Sequence, residues 1–370
     1  MSAKSSKPKA GTKTAKGFKV PSIKDQARAI TEKALYSDKQ FLARDIPKRT
    51  WIVEGCIPHP SIGLLYAWRG SGKTYTALRL AIDIAKGHDF MVYPVPRKRT
   101  VLYIDGEMPV SDLQERVRVL SDGHPTDRLW LVSSEDLAQN HIGLNLAEEN
   151  GRLLVNQLLT HLERRYQKPA LVILDNWVSL IRGLDENDNA GLDEVKEWLM
   201  RLRHGGVSVL FIHHAGKEGQ QRGASGREDI PDYSITLAEK AGVEGDPTTH
   251  IVFEWDKVRG VKPEPRKFRM ELGEDENGQL QLRPAEDAAR GEPPVWLEYL
   301  KWWAENGQPT DREGAAMRDL SRSAVEKNMR TARSEGLLLG SQGSTKGRRL
   351  TEKGVERIKQ YWPKFEIYGN

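Results

Sequence analysis

Short continuous apolar runs punctuate the chain: Ile62-Gly63-Leu64-Leu65-Tyr66, Val101-Leu102-Tyr103-Ile104, Leu129-Trp130-Leu131-Val132, Leu171-Val172-Ile173-Leu174 and Val207-Ser208-Val209-Leu210-Phe211-Ile212. Runs of this length with little alternation of polar positions predict strands buried on both faces. Between them, apolar positions recur at helical spacing over 75–86, 111–120, 150–166 and 193–203, predicting amphipathic helices. Strands alternating with helices predict an α/β fold with a largely parallel sheet covered by helices. From 233 to about 283 the helical period disappears. Runs at 249–255 and 267–272, with a glycine-containing turn at Asn277-Gly278, read as antiparallel hairpins that extend the sheet.

The two ends differ from this middle. Residues 1–24 are Lys, Ser, Ala, Gly and Pro with almost no apolar content and no acid before Asp25, a composition that predicts a disordered basic tail. Such a tail serves either as an electrostatic arm for DNA or as a solubilising segment. Residues 25–283 form the predicted α/β domain and the polar stretch 284–294 reads as a linker. Over 295–370 the pattern is three helices, two short strands and a last helix, the order of a winged helix. Ser321 is placed to cap its third helix, which carries Lys327, Arg330 and Arg333, and the hairpin tip carries Lys346, Arg348 and Arg349. These cations suit a helix in a major groove and a wing on phosphates. Glu326 and Glu335 on the same helix leave a protein-docking role open.

Charge and cysteine content narrow the setting. With 57 basic and 52 acidic side chains the net charge is +5, which leans towards an acidic partner such as nucleic acid. No apolar run approaches the roughly 18 residues that span a bilayer, and no hydrophobic segment follows the charged N-terminus as in a secretory signal. One cysteine, Cys56, rules out an intramolecular disulfide framework and a Cys-rich metal site, so a reducing cytoplasm is the expected location.

The strongest chemical signal is Ala67-Trp68-Arg69-Gly70-Ser71-Gly72-Lys73-Thr74, between a predicted strand and a predicted helix. That context makes it a phosphate-binding P-loop. Gly70 and Gly72 let backbone N–H groups close around phosphates, with Ser71 between them, at the positive pole of the helix. Lys73 reaches the β- and γ-phosphates of ATP, and the Thr74 hydroxyl is a ligand for Mg²⁺. The usual pattern starts with Gly where this chain has Ala67, and alanine suits that turn only at negative φ.

Two further strands end in carboxylates. Asp175 closes Leu171-Val172-Ile173-Leu174 and is followed by Asn176; beside a P-loop it would hold the Mg²⁺ water shell. Asp105-Gly106-Glu107-Met108-Pro109 follows the strand after the P-loop helix. Glu107 is the favoured general base for the attacking water, with Asp105 the alternative base or a turn cap.

Across about 51–283 these residues resemble the RecA-like superfamily, in particular the RepA group of hexameric plasmid and phage replicative helicases. The similarity starts at Trp51-Ile52-Val53-Glu54-Gly55-Cys56-Ile57-Pro58 and runs through the P-loop to the Tyr103-Ile104-Asp105-Gly106-Glu107-Met108 box. The resemblance implies a catalytic glutamate at Glu107 and a metal-holding aspartate at Asp175. Phe211-Ile212-His213-His214-Ala215-Gly216-Lys217 resembles the family's polar switch, which implies a γ-phosphate sensor at His214, with His213 second and a purely structural histidine the alternative for either. The stretch from Gln220 to Arg227 looks like the family's central-channel region, implying single-stranded DNA contacts at Arg222 or Arg227. Asp256-Lys257-Val258-Arg259-Gly260 is similar to the Lys-x-Arg-Gly hairpin of hexameric helicases, implying an arginine finger at Arg259 with Lys257 as its partner, acting on a neighbouring subunit, with a basic hairpin exposed to water the alternative.

The expectation is therefore a RecA-like P-loop ATPase of the α/β class with a C-terminal winged helix, using ATP and Mg²⁺, forming a homo-oligomer (a hexamer by resemblance) and unwinding DNA. The alternative is a DNA-binding regulatory or recombination-mediator ATPase that switches without unwinding. A small-molecule kinase on the same scaffold would leave the DNA-facing features unexplained.

Overall fold

The computed structural model describes residues 22–183, 189–214, 230–240, 247–260, 263–275, 278–286, 288, 293, 295–340, 348–362, 365 and 367. Two compact units divide after Lys48. The first, described from Ser22, contains α1 (Ile23–Lys33) and α2 (Asp38–Leu42), for which the apolar pattern gave no expectation. Each opens with a capping box, Ser22 with Asp25 and Ser37 with Gln40, which satisfies N–H groups left free at a helix start.

The second unit begins with the antiparallel pair β1 (Thr50–Val53) and β2 (Ile57–His59). It continues through β3 (Ile62–Ala67), α3 (Lys73–Lys86), β4 (Val101–Asp105), α4 (Val110–Leu120), β5 (Leu129–Ser133), α5 (Ser134–Gln139) and α6 (Glu149–Arg165). Next come β6 (Leu171–Asp175), α7 (Trp177–Leu180), α8 (Asn189–His204) and β7 (Ser208–His214). The last strands of the large sheet are β8 (Tyr233–Lys240), β9 (Thr249–Val258), β10 (Lys267–Glu274) and β11 (Leu280–Pro284).

These strands form one nine-stranded sheet in the order β11-β10-β9-β8-β3-β7-β6-β4-β5. From β8 to β5 every pairing is parallel. The antiparallel extension starts at β9, one strand later than the sequence pattern suggests, because β8 lies parallel to β3 with Tyr233 opposite Gly63.

Side chains alternate between the faces of the sheet, and each face carries its own core. Leu65, Val101, Tyr103, Ile173 and Ile212 pack with α3 on one side. Leu64, Leu102, Ile104, Leu174 and Phe211 pack with α6 and α8 on the other. Cover on both sides accounts for the unbroken runs of β3, β4, β6 and β7. By contrast β5, at the edge of the sheet, is only partly buried with Leu131 exposed, contrary to the expectation of burial on both faces. Beyond the sheet, α9 (Val295–Glu305), α10 (Asp311–Met317), α11 (Arg322–Ser334), β12 (Leu338–Leu339), β13 (Arg349–Leu350) and α12 (Glu352–Tyr361) close around a separate core of Leu297, Leu300, Trp303, Val325, Met329 and Ile358. Ser321 caps α11 by accepting the Ala324 N–H at 3.2 Å. Among the described residues no helix is long and apolar enough to cross a membrane.

One glycine in the sheet is fixed by close approach. A Cβ at Gly63 would overlap the ring of Tyr233, which is wholly buried and has no room to withdraw. Gly63→Ala is expected to destabilise the protein by about 1–3 kcal/mol through overpacking, read as a lower urea midpoint at unchanged m-value.

Candidate nucleotide-binding site

The site is built where parallel strands end. Ala67 is the last residue of β3, paired with His214 of β7 on one side and Leu237 of β8 on the other. It is not among the residues with positive φ, so it continues the strand and its methyl group meets no backbone strain. The chain then turns at Gly70 (φ +82°) and Gly72 (φ +79°), conformations that glycine adopts without cost. A Cβ on Gly72 would also come within 2.7 Å of Ile251. Ser71 is buried and its hydroxyl donates to the Trp68 carbonyl. Because Gly72 has no side chain to cap α3, the first N–H groups of that helix are left for a ligand.

Lys73 is buried and its ammonium donates to the carbonyls of Ala67 (3.0 Å) and Trp68 (2.6 Å). Burial pushes its pKa down to about 8, against the opposing pull of the Asp175 and Glu107 carboxylates. Thr74, the next residue, hydrogen-bonds Asp175 through its side chain.

Asp175 ends β6 and lies opposite Asp105 at the end of β4. It is 5% exposed, and burial raises its pKa despite the Tyr103 hydroxyl, which donates to Oδ2 at 2.5 Å. Asp105 turns inward. Its Oδ2 accepts the N–H groups of Glu107 (3.2 Å) and Met108 (2.9 Å), so it caps the turn after β4, and burial lifts its pKa to about 6. Glu107 is exposed and faces the phosphate loop across a cavity of about 590 Å³. Arg69, Lys73, Thr74, Tyr75, Arg116 and His214 also line that cavity.

Three contributors escape motif reading. Tyr103 and Arg116 lie on a strand and a helix whose apolar patterns give no cue; the Arg116 guanidinium carbon lies 4.6 Å from the centre of the Tyr75 ring, a cation–π contact beside the loop. Asn176 donates through Nδ2 to Glu107 Oε2 at 2.6 Å and lies 3.4 Å from His214 Nε2. Its only sequence signal is a serine three positions on, which makes a capping box for α7. His214 ends β7 in the cavity, and burial together with the Lys73 charge pushes its pKa below the usual imidazole range. His213 is buried beside it.

The remaining sequence candidates lie elsewhere. Lys257 is near the end of β9, and the Arg259 N–H donates to the Asp232 carbonyl at 2.8 Å. Val258 pairs with Tyr233, which is level with Gly63, whereas the P-loop leaves the sheet after Ala67. Lys257 and the exposed Arg259 are therefore at the opposite edge of the sheet from Thr74, and neither lines the cavity. Arg222, Arg227 and Lys346 lie outside the described residues. On α11, Lys327 and Arg330 are exposed while Arg333 is half-buried, with Nε and Nη2 enclosed and burial pushing its pKa down. Arg348 is buried and donates through both terminal nitrogens to Asp311, through Nη2 at 2.8 Å; Arg349 is exposed.

A glycine loop between a central parallel strand and a helix, with strand-end carboxylates beside it, defines a RecA-like P-loop ATPase fold, a nucleotide-binding class. The chain belongs to the AAA domain family AAA_25, whose model matches residues 27–220. Among solved structures it is similar to the KaiC-like protein PH0186 from the hyperthermophilic archaeon Pyrococcus horikoshii OT3, at 15% identity and a TM-score of 0.43, covering 64% of this chain and 99% of the other. It is also similar to the flagellar accessory protein FlaH from Methanocaldococcus jannaschii, at 13% identity and a TM-score of 0.39, covering 62% and 92%.

Lys73→Ala is expected to weaken binding of a fluorescent ATP analogue by about 10- to 100-fold, the loss of a charge-assisted hydrogen bond. The melting temperature of that variant would show whether the fold survives, and unchanged nucleotide affinity would remove Lys73 from the site.

Proposed function

We propose that the protein is an ATP-hydrolysing DNA motor that works as a ring of identical subunits, a helicase of RepA type. The observation that carries this reading is the separation of Arg259 from its own phosphate loop. An exposed arginine at the far edge of the sheet has no role at its own nucleotide and fits service to the site of a neighbouring subunit.

Hydrolysis follows from the groups in the cavity. A water attacks the γ-phosphorus in line, forming one P–O bond as the bond to the bridging β–γ oxygen breaks, and the Glu107 carboxylate takes its proton. ADP leaves with the bridging oxygen. Lys73 offsets the charge on the β- and γ-oxygens, and Arg259 from the next subunit adds a second cation as that charge redistributes. The Thr74 hydroxyl and Asp175 carboxylate are hard oxygen donors suited to Mg²⁺, which when bound neutralises phosphate charge. His214, on the cavity wall at the end of β7, suits a γ-phosphate sensor. Single-stranded DNA is the expected track, with Arg222 or Arg227 as phosphate contacts by resemblance.

The C-terminal helices and hairpin have the element order of a winged helix, and exposed Lys327, Arg330 and Arg349 suit duplex phosphates. This module also favours a second reading, a DNA-binding regulatory ATPase that binds duplex with ATP and unwinds nothing.

Single-stranded DNA is expected to stimulate ATP turnover, and a forked duplex to be separated; stimulation without strand separation would favour the switch, and indifference to DNA would remove both. Arg259→Ala and Lys73→Ala should each be inactive alone, and a mixture should regain turnover because the Lys73 variant lends its arginine to the other's intact loop. A mixture that stays inactive, or full hydrolysis by Arg259→Ala alone, would refute the finger in trans. Lys327→Glu with Arg330→Glu should weaken duplex binding by more than about tenfold and leave single-strand stimulation intact, as expected for two lost phosphate contacts. Unchanged duplex affinity would assign the C-terminal module to a protein partner.

A further inference from the structure

Asn176 is 2% exposed and fully engaged. Its side-chain carbonyl accepts the Ser179 N–H at 3.0 Å and the Ser179 hydroxyl at 3.2 Å, which fixes the orientation of the amide. The amide nitrogen then faces away from α7. Of its two N–H groups, one donates to Glu107 Oε2 at 2.6 Å and the other points towards His214 Nε2 at 3.4 Å. The amide nitrogen is only a donor, so a hydrogen bond between the two requires the tautomer in which Nε2 accepts. Three strand ends are thereby joined: β4 through Glu107, β6 through Asn176 and β7 through His214.

We infer that Asn176 is the positioning residue for hydrolysis: its amide aims the Glu107 carboxylate at the attacking water and ties that aim to His214 at the end of β7. The inference rests on Glu107 being the general base. An exposed glutamate on a turn has many rotamers, and a buried amide held by a helix cap selects one of them. The same bond gives a displacement of His214 a direct path to the base, since both share one nitrogen.

A purely structural role makes a different prediction. As an N-cap, Asn176 is replaceable by Ser or Asp, which cap helices about as well. Neither supplies the donor to Glu107: Ser is too short to bridge from the cap, and Asp sets a second carboxylate against the first. Full-length Asn176→Ser and Asn176→Asp are therefore compared with wild type and with Glu107→Gln, reading kcat for ATP, the Kd of a non-hydrolysable ATP analogue and the melting temperature. The expected result is a fall in kcat of about tenfold or more for Ser, with Kd and melting temperature close to wild type, and a larger fall for Asp, whose added buried charge also lowers the melting temperature. Wild-type kcat in both variants would overturn the inference and leave Asn176 as a cap. A fall in kcat of the Ser variant matched by weakened binding or a lower melting temperature would overturn it too. Glu107→Gln separates the two levels. If it turns over ATP normally, Glu107 is not the base and both readings fail; if it is inactive while the Asn176 variants are normal, only the positioning role fails.

Discussion

Strand register is the constraint on which the rest of this molecule depends. Ala67 is paired with His214, Asp105 with Asp175 and Leu174 with Phe211. Four parallel strands therefore release their chemistry at one edge of the sheet in fixed register, the β4–β6 pair two rungs before the β3–β7 pair. A slip of one residue in β6 would turn Asp175 to the other face and bring Leu174 to the site. The two apolar cores forbid that slip, because Ile173 belongs to one and Leu174 to the other. The geometry of the cavity is thus enforced by side chains that never touch it.

The same edge concentrates charge where solvent is scarce. Burial draws Lys73 down to about 8 and lifts Asp105 to about 6 and Asp175 above its ordinary value, each shift opposing the charged form. Attraction between the Lys73 ammonium and the Asp175 and Glu107 carboxylates offsets part of that cost. A triphosphate entering this edge brings negative charge to an ammonium now satisfied only by two backbone carbonyls, which favours its protonated form. Asp105 escapes competition for the metal or water because its oxygen is committed to the turn.

Much of this was legible in sequence because double-sided burial removes polar positions from strands and leaves them as unbroken apolar runs. The P-loop was legible for a different reason: Gly70 and Gly72 occupy backbone conformations that other residues avoid, so composition reports geometry. The helix over 23–33 was missed although Ile23, Ala27 and Ile30 recur at helical spacing, because the stripe is short, lies in a polar stretch and none of it is buried. Asn176, Tyr103 and Arg116 were missed because each acts through a partner distant in sequence. Tyr103 looks like one more apolar position of β4 until Asp175 is seen across the ladder. Arg333 and Arg348 illustrate the converse: charge on a helix and near a hairpin reads as a surface, yet Asp311, remote in sequence, draws Arg348 inside.

The two edges of the sheet carry different sets of charged groups. Glycines, lysine and carboxylates gather at the C-terminal edge of β3, while Lys257 and Arg259 follow an antiparallel strand back to the other. Reversal of direction at β9 is what separates them, since a further parallel strand would have delivered its last residues to the phosphate loop. The chain thus gathers its phosphate-loop groups at one edge and keeps the Arg259 cation at the other. If the proposed ring forms, head-to-tail contact would bring the two edges of successive subunits together, and each site would be completed by the next. Under that proposal assembly would be a condition of fast hydrolysis, because no chain alone could bring both edges to one nucleotide.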